Sequence, residues 1–542
     1  MINQKFKQFL IVLFLIALCF PLFSFKIWVS PDGCDTNPGT EEKPVATILM
    51  AQRKAREMRR LNDPLVSNGI TIILKGGTYH LTEPVIIRSE DAGTGTSPTT
   101  FKAAPGETPV LSGGIALLNW KMVEKPIQGL PSNARGKVWI AELPKPGGQA
   151  IMFRQMWVNG KKATRASTLN DGLLPRILSK DNAAQSFMIP SPKFNLENIE
   201  GLEFVIHQWW AIAMLRVKKI ENIGDSSRIT FHQPESRIEF EHPWPAPFID
   251  SEKNLNGNSA YYFVNSIALL NHPGEWYADF TGGKVYYWPQ DNEDMQQAKV
   301  VIPCLETIVK IEGEKDYPVS YINFNGIRFQ HSTWLRPSRE GHVPLQAGWS
   351  ITDAYKLKIP GTPDKSGLEN QAWIERQSAG ITVENAHHLV FEQCSFTNMA
   401  ATGLDFISGT HHNLVQGCIF KDIGGTAIQM GFFGSPSFEA HLPYNPSDER
   451  ELCRFETISN NLITDCTNED WGCVGISVGF AHDINISHNE LSHLNYSGIC
   501  IGWGWTKTIT CMKNNMIHAN YIHHFAKNMY DVGGIYTLSA QP

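Results

Sequence analysis

The 542-residue chain has no CxxC pair and its cysteines show no metal-ligand spacing, so no cysteine motif calls for a metal or a cofactor. It lacks a basic excess. The formal net charge is −6, which argues against a nucleic-acid partner. Beyond its first residues it lacks any apolar stretch long enough to span a bilayer. Charged residues are sparse at 18%, and the 42% hydrophobic content is ordinary for a globular protein. The cysteines sit in strand-like segments at similar phases. They read as small apolar residues stacked in a core rather than as a disulfide framework.

What is present begins with an export signal over residues 1–24. Lys5 and Lys7 precede an apolar run from Phe9 to Phe25. Cleavage after Cys19, with Ala17 at −3, or after Ser24 fits the pattern. Leu18 before Cys19 argues against a lipid anchor. The expected location is secreted or periplasmic, or the cell surface, with no membrane span after signal removal. The 15 Trp fit flat sugar faces and a Trp-rich core equally well.

Residues 25–114 read as an N-terminal cap and the first coils of a solenoid. Ile27-Trp28-Val29, Thr71 to Leu74 and Val85-Ile86-Ile87 are short strands set between Gly and Pro turns, and Pro44 to Arg60 reads as a helix covering the open end. Residues 115–300 change character, with hairpin signals at Asn159-Gly160 and Gly282-Gly283, and form an inserted β-rich domain. From 301 to 542 repetition returns. Gly380-Ile381, Gly403-Leu404, Gly475-Ile476, Gly498-Ile499 and Gly534-Ile535 each open a strand in units of roughly 22–25 residues, interrupted at about 431–452. The fold class is all-β, a right-handed parallel β-helix of the pectin-lyase type with an inserted domain. No polar cap follows Tyr536-Thr537-Leu538, so a truncated C-terminus is expected.

In stacked coils, equivalent positions form ladders about 4.8 Å apart. The turn before each Gly-Ile strand carries Asp470 beside Glu469, then His493 and Tyr496, then Asp531 in a Tyr-Asp-x-Gly-Gly turn. Cleavage of a glycosidic bond needs two carboxyl groups and groups that hold the sugar. Asp531 and Asp470 are the catalytic candidates. His493, Tyr496, Trp503, Trp505, His523, His524, Glu469 and Asp405 are the substrate-binding candidates. Trp503 and Trp505 are taken to share a strand face, and Asp405 sits inside a strand. Two coils put the paired backbones roughly 9–10 Å apart, nearer the inverting spacing than the retaining one. Asn413, Asn489 and Asn515 flank strands and read as a structural ladder. From Ala379 onward six Lys or Arg face fifteen Asp or Glu, which favours a neutral sugar over a polyuronate.

Several motifs carry a family resemblance. Trp28-Val29-Ser30-Pro31-Asp32-Gly33 and Gly76-Gly77-Thr78-Tyr79 resemble the N-terminal signature of bacterial right-handed parallel β-helix proteins. Val158-Asn159-Gly160-Lys161, Glu275-Trp276-Tyr277 and Tyr286-Tyr287-Trp288-Pro289 resemble the inserted region of glycoside hydrolase family one hundred and forty-one. Gly502-Trp503-Gly504-Trp505 and Gly533-Gly534-Ile535-Tyr536-Thr537 continue the likeness. The resemblance implies hydrolysis of α-L-fucosides or xylan-type linkages in plant cell-wall polysaccharide by two aspartates, one of them Asp531. In the other coil His493 stands where the family often has Asp, which makes Asp470 the substitute. A polysaccharide lyase and a non-catalytic glycan-binding solenoid are the alternatives on the same fold.

Overall fold

The computed structural model describes residues 24–195, 197–242, 245–250, 257–354 and 371–542. Apart from Ser24, the expected export signal lies outside the described residues. Among the described residues no helix is long and apolar enough to cross a membrane.

Three long parallel sheets, of nine, eight and eight strands, run the length of the molecule. One coil shows how they arise. Val390–Glu392 lies in the first sheet, Ser395–Met399 in the second and Thr402–Ser408 in the third. Each pairs in parallel register with its counterpart one coil later. Alternate residues point inward, and like side chains stack on like. Phe101, Phe324 and Phe391 form one column at 5.2 and 5.0 Å between centroids, and Phe329, Phe396 and Phe420 another at 5.3 and 4.4 Å. The chain is thus an all-β parallel β-helix.

Each coil turns three corners, and a residue in the left-handed region marks each of them. Between the first and second sheets these are Gly326, Gln393, Gly417, Asn460, His488 and Ala519. Between the second and third they are His331, Asn398, Asp422, Asp465, His493 and His524. Between the third and the next coil they are Tyr321, His388, His412, Phe455, Asp483 and Asn514. Gly, Asn, Asp and His tolerate this conformation best, so the corners explain why those residues recur. Two asparagine ladders support the corners, where the sequence suggested one. Asn489 belongs to the first-to-second corner. There Asn461 and Asn489 accept from the Cys418 and Asn461 amides at 2.9 and 3.0 Å, and each passes its amide to a strand carbonyl. Asn413 and Asn515 belong to the third corner.

The helix begins later than expected, at Ile48, because Thr47 caps it by accepting from the Met50 amide at 3.1 Å. It buries Ile48, Ala51 and Ala55 against the first coil. Every cysteine of the described residues is free, and most are buried.

Two excursions leave the helix at the corner between the second and third sheets. The first runs from Ser112 to Val309 and builds the inserted domain. At its root Gly114–Leu117 pairs antiparallel with Val300–Pro303. A five-stranded sheet and a six-stranded sheet built on the long strand Ala211–Ile223 follow. The second excursion, from Gln330 to Ala379, was not evident in the sequence, because few of its described residues form strands. Both fold back over the outer side of the third sheet. There Trp334, Trp349, Phe433, Tyr496 and Trp503 share one core with the inserted domain.

Candidate active site

The corner between the second and third sheets is the candidate functional edge of the molecule. Its left-handed residues form a polar column, and the inserted domain stands over the upstream half. Asp422 is the anchor. Its carboxylate accepts from the Trp157 indole at 2.8 Å, the Asn398 amide at 2.9 Å and the Asn468 amide at 2.9 Å. Lys162, from the inserted domain, lies 3.4 Å from Asp422 and 2.9 Å from Glu469. Burial alone would push the Asp422 carboxyl up; the Lys162 charge and the three neutral donors overcome it and hold it low. Asp465, one coil later and exposed, goes the other way. Its partial burial and the negative charge of Asp422 raise it above the ordinary carboxylate range. Two carboxyls on adjacent coils are therefore pushed apart in acidity, the pattern that separates an acid from a base.

A cavity of about 570 Å³ opens beside this pair, lined by Lys162, Gln330, Thr397, Asp422, Asp465 and Asn468 among others. A smaller one of about 200 Å³ lies on the other side of Lys162, against Arg165, Glu203, Tyr262, Glu469 and Trp471. In it Glu203 is clasped by Arg154 and Arg165.

Downstream the column gives way to a second cluster. Asp531 is exposed, and its φ of 53° is left-handed, yet it is not a corner residue. The corner of that coil is His524. Asp531 sits farther along the long turn between Tyr521–His523 and Ile535–Thr537. Neighbours fix its backbone. The fully buried Tyr496 donates its hydroxyl to the Asp531 carbonyl at 3.0 Å, and Ser497 accepts from the Gly533 amide at 3.3 Å. Gln346, from the second excursion, donates to the same tyrosine oxygen at 3.3 Å. The inserted domain closes the other side. The Tyr530 amide donates to the Trp209 carbonyl at 2.9 Å, and the two rings lie 6.0 Å apart. Phe248 lies 4.7 Å from the Trp209 ring.

The other expected site residues fall into place around these clusters. Asp470 departs most from expectation. It lies on the anticipated edge but has no exposed surface. Its carboxylate accepts from Gln377 at 2.6 Å and from the Gly472 amide at 3.2 Å, with His342 also 3.2 Å away. It braces the turn from inside and does not face a groove. Asp405 is likewise 1% exposed, engaged by Arg376 and Gln429. Glu469 lines the smaller cavity but is paired with Lys162. Trp503 and Trp505 follow the strand Ile499–Ile501 rather than lying in it. Trp503 is core, while Trp505 is partly exposed and packs 5.0 Å from His441. His493 and His524 are corner residues stacked at 5.3 Å, and His523 turns outward 3.3 Å from Glu490. Asp422, Asp465, Lys162 and Gln346 were missed. Lys162 and Gln346 reach the edge from the two excursions, which no local spacing reveals.

The geometry agrees with what the chain resembles. Residues 136–290 match the GH141 insertion domain. A solved structure described as a glycoside hydrolase is 45% identical, over 96% of this chain and 86% of that one, with a TM-score of 0.88. Two curated relatives match over short stretches. The uncharacterised protein YwoF of Bacillus subtilis is 37% identical over 87 residues, 16% of this chain and 15% of that protein. Pectate lyase PEL9 of Emericella nidulans is 34% identical over 98 residues, 18% of this chain and 21% of that enzyme. The chain therefore aligns with less than a quarter of either curated relative. With near-complete coverage at 45% identity and an inserted domain of the matching kind, the chain belongs to the glycoside hydrolases, as a parallel β-helix member bearing a GH141 insertion domain.

Proposed function

We propose that the chain is an exported hydrolase of neutral plant cell-wall-type polysaccharide, cutting α-L-fucoside or xylan-like linkages, with Asp531 at the reacting bond. The observation that carries this reading is the exposed Asp531 in a left-handed turn that its corner does not require, clamped through its carbonyl by Tyr496. The clamp holds the Asp531 backbone while its side chain stays exposed on the surface. The Trp209 and Tyr530 rings beside it offer flat apolar faces to a sugar. Asp465 is our candidate for the partner carboxyl, in place of the buried Asp470. It is exposed on the same edge two coils earlier, and its raised pKa suits a proton donor to the leaving oxygen. The Lys5 and Lys7 n-region with its apolar run supports export.

The test is a hydrolysis screen on fucosylated pectin, xylan and aryl glycosides with the parent chain, Asp531→Asn and Asp465→Asn. Release by the parent, lost in Asp531→Asn with its melting curve unchanged, supports the reading. Full activity in Asp531→Asn refutes it. Glycan binding without release points to a binding solenoid, and a calcium-dependent product absorbing in the ultraviolet points to a lyase.

A further inference from the structure

A separate group lies at the corner between the third sheet and the next coil, which is not the edge that carries Asp531. Ser320, His387, His411 and Arg454 follow one another in parallel register. The corner residues Tyr321, His388, His412 and Phe455 come directly after them. Two coils thus present His-His pairs one above the other. The His387 and His411 rings stack at 4.6 Å and 7°, and those of His388 and His412 at 5.2 Å and 2°. Within each pair the Nδ1 atoms face each other, at 2.8 Å in His387–His388 and 2.9 Å in His411–His412. Ligand atoms of His387, His388 and His411 all lie within 4.8 Å of one another. Among the described residues no other three His, Cys, Asp or Glu side chains converge this way.

The corner does not demand this array. It needs one left-handed residue per coil, which accounts for His388 and His412, and the rungs on either side fill the position with Tyr321 and Phe455. Nothing in the corner calls for His387 and His411 beside them. We propose that His387, His388 and His411, with His412 at the rim, form a binding site for a divalent transition-metal ion, zinc or copper, that staples two adjacent coils. Imidazole nitrogens favour zinc, copper and nickel, whereas calcium and magnesium demand oxygen. A bond of about 2.0–2.1 Å to zinc places facing nitrogens slightly farther apart than they stand here, and small ring rotations achieve this. Tyr321 stacks 4.6 Å from His388, and Phe455 lies 4.9 Å from His412, closing the array above and below. Arg454 opposes a cation, but its guanidinium is turned to the Glu449 carbonyl at 2.8 Å.

The chain, treated with chelator and desalted, is titrated calorimetrically with zinc chloride. One zinc per chain is expected, with affinity roughly tenfold or more weaker in His411→Gln and His387→Gln. Affinity should be unchanged in His523→Gln, which alters the facing histidine pair at the other edge, and glycan turnover should be unchanged in His411→Gln and His387→Gln. Binding that survives His411→Gln, binding lost equally in His523→Gln, or no binding at all overturns the proposal. Should the variants fold poorly, paramagnetic resonance of copper bound to the parent chain decides the matter. Three or more nitrogen ligands support the site, and one or two overturn it.

Discussion

Replacing Glu203 by Gln removes one charge from a buried triad in the inserted domain. The Glu203 side chain is 2% exposed, and its partners Arg154 and Arg165 are 5% and 10% exposed. Arg165 donates at 2.8 and 3.0 Å, and the Ser338 hydroxyl donates at 2.7 Å. Burial alone would raise the carboxyl, but the guanidiniums of Arg154 and Arg165 bring it down to about 2. Against an ordinary value of 4.5 that depression corresponds to about 3 kcal/mol of stability. The figure meets the cost of breaking a buried pair from one side, about 3–5 kcal/mol, since two guanidiniums are left without an anion. Because the folded value lies below the unfolded one, the contribution is present above about pH 4.5 and disappears as pH falls toward 2. Urea unfolding of the parent and Glu203→Gln at pH 7 and pH 3 measures both terms. The gap should be about 3 kcal/mol at pH 7 and clearly smaller at pH 3. Equal midpoints at pH 7, or a gap that widens on acidification, would refute the argument.

Other substitutions probe other links. Burial lifts the Glu239 carboxyl to about 8 despite Lys180 and Gln208, so ionising it costs the fold stability as pH rises from 4.5 through 8. Glu239→Gln should remove that loss, up to about 4–5 kcal/mol, and flatten stability against pH in urea melts between pH 5 and 9. Tyr496→Phe keeps the ring but deletes the donor to the Asp531 carbonyl. On a hydrolysed substrate kcat should fall about ten- to a hundredfold with KM nearly constant, while stability drops by about 1 kcal/mol. Phe396→Ala opens the second phenylalanine column, where Phe396 is fully buried, and should cost about 3–5 kcal/mol in chemical denaturation.

The helix was legible because its period is local. Gly403-Leu404 and Gly475-Ile476 recur at a spacing that any stack of coils requires, and the column of Phe391 and Phe396 follows from strand alternation. The site was only half legible. The sequence drew attention to the edge that carries Tyr496 and Asp531, but it read Asp470, His493 and His524 there as candidates for chemistry and passed over Asp422 and Asp465. His493 and His524 stand there because a left-handed corner favours them. Asp470 looked exposed because a turn usually is. It is buried because Gln377 and His342 reach it from the second excursion, 93 residues away along the chain in the case of Gln377. Lys162 and Asp422 meet across 260 positions of sequence, a pairing that only the completed fold creates.

The insertion point also sets the order of assembly. Pro109–Ser112 and Val309–Glu312 belong to one coil, yet roughly 200 residues separate them. Relative to an ordinary coil this loop costs only about 2 kcal/mol more in closure entropy, since that cost grows with the logarithm of length. Speed suffers more than stability, because pairing across such a distance has little local guidance. We expect the downstream coils, whose neighbours lie close in sequence, to zip first and the inserted domain to fold as its own unit. The coil interrupted by the insertion then closes last. Pulse-labelled hydrogen exchange should show amides of Ile428–Met430 and Ile476–Val478 protected before those of Val309–Glu312. A partly folded chain would then carry a finished downstream solenoid with an open upstream edge, the species a chaperone would meet.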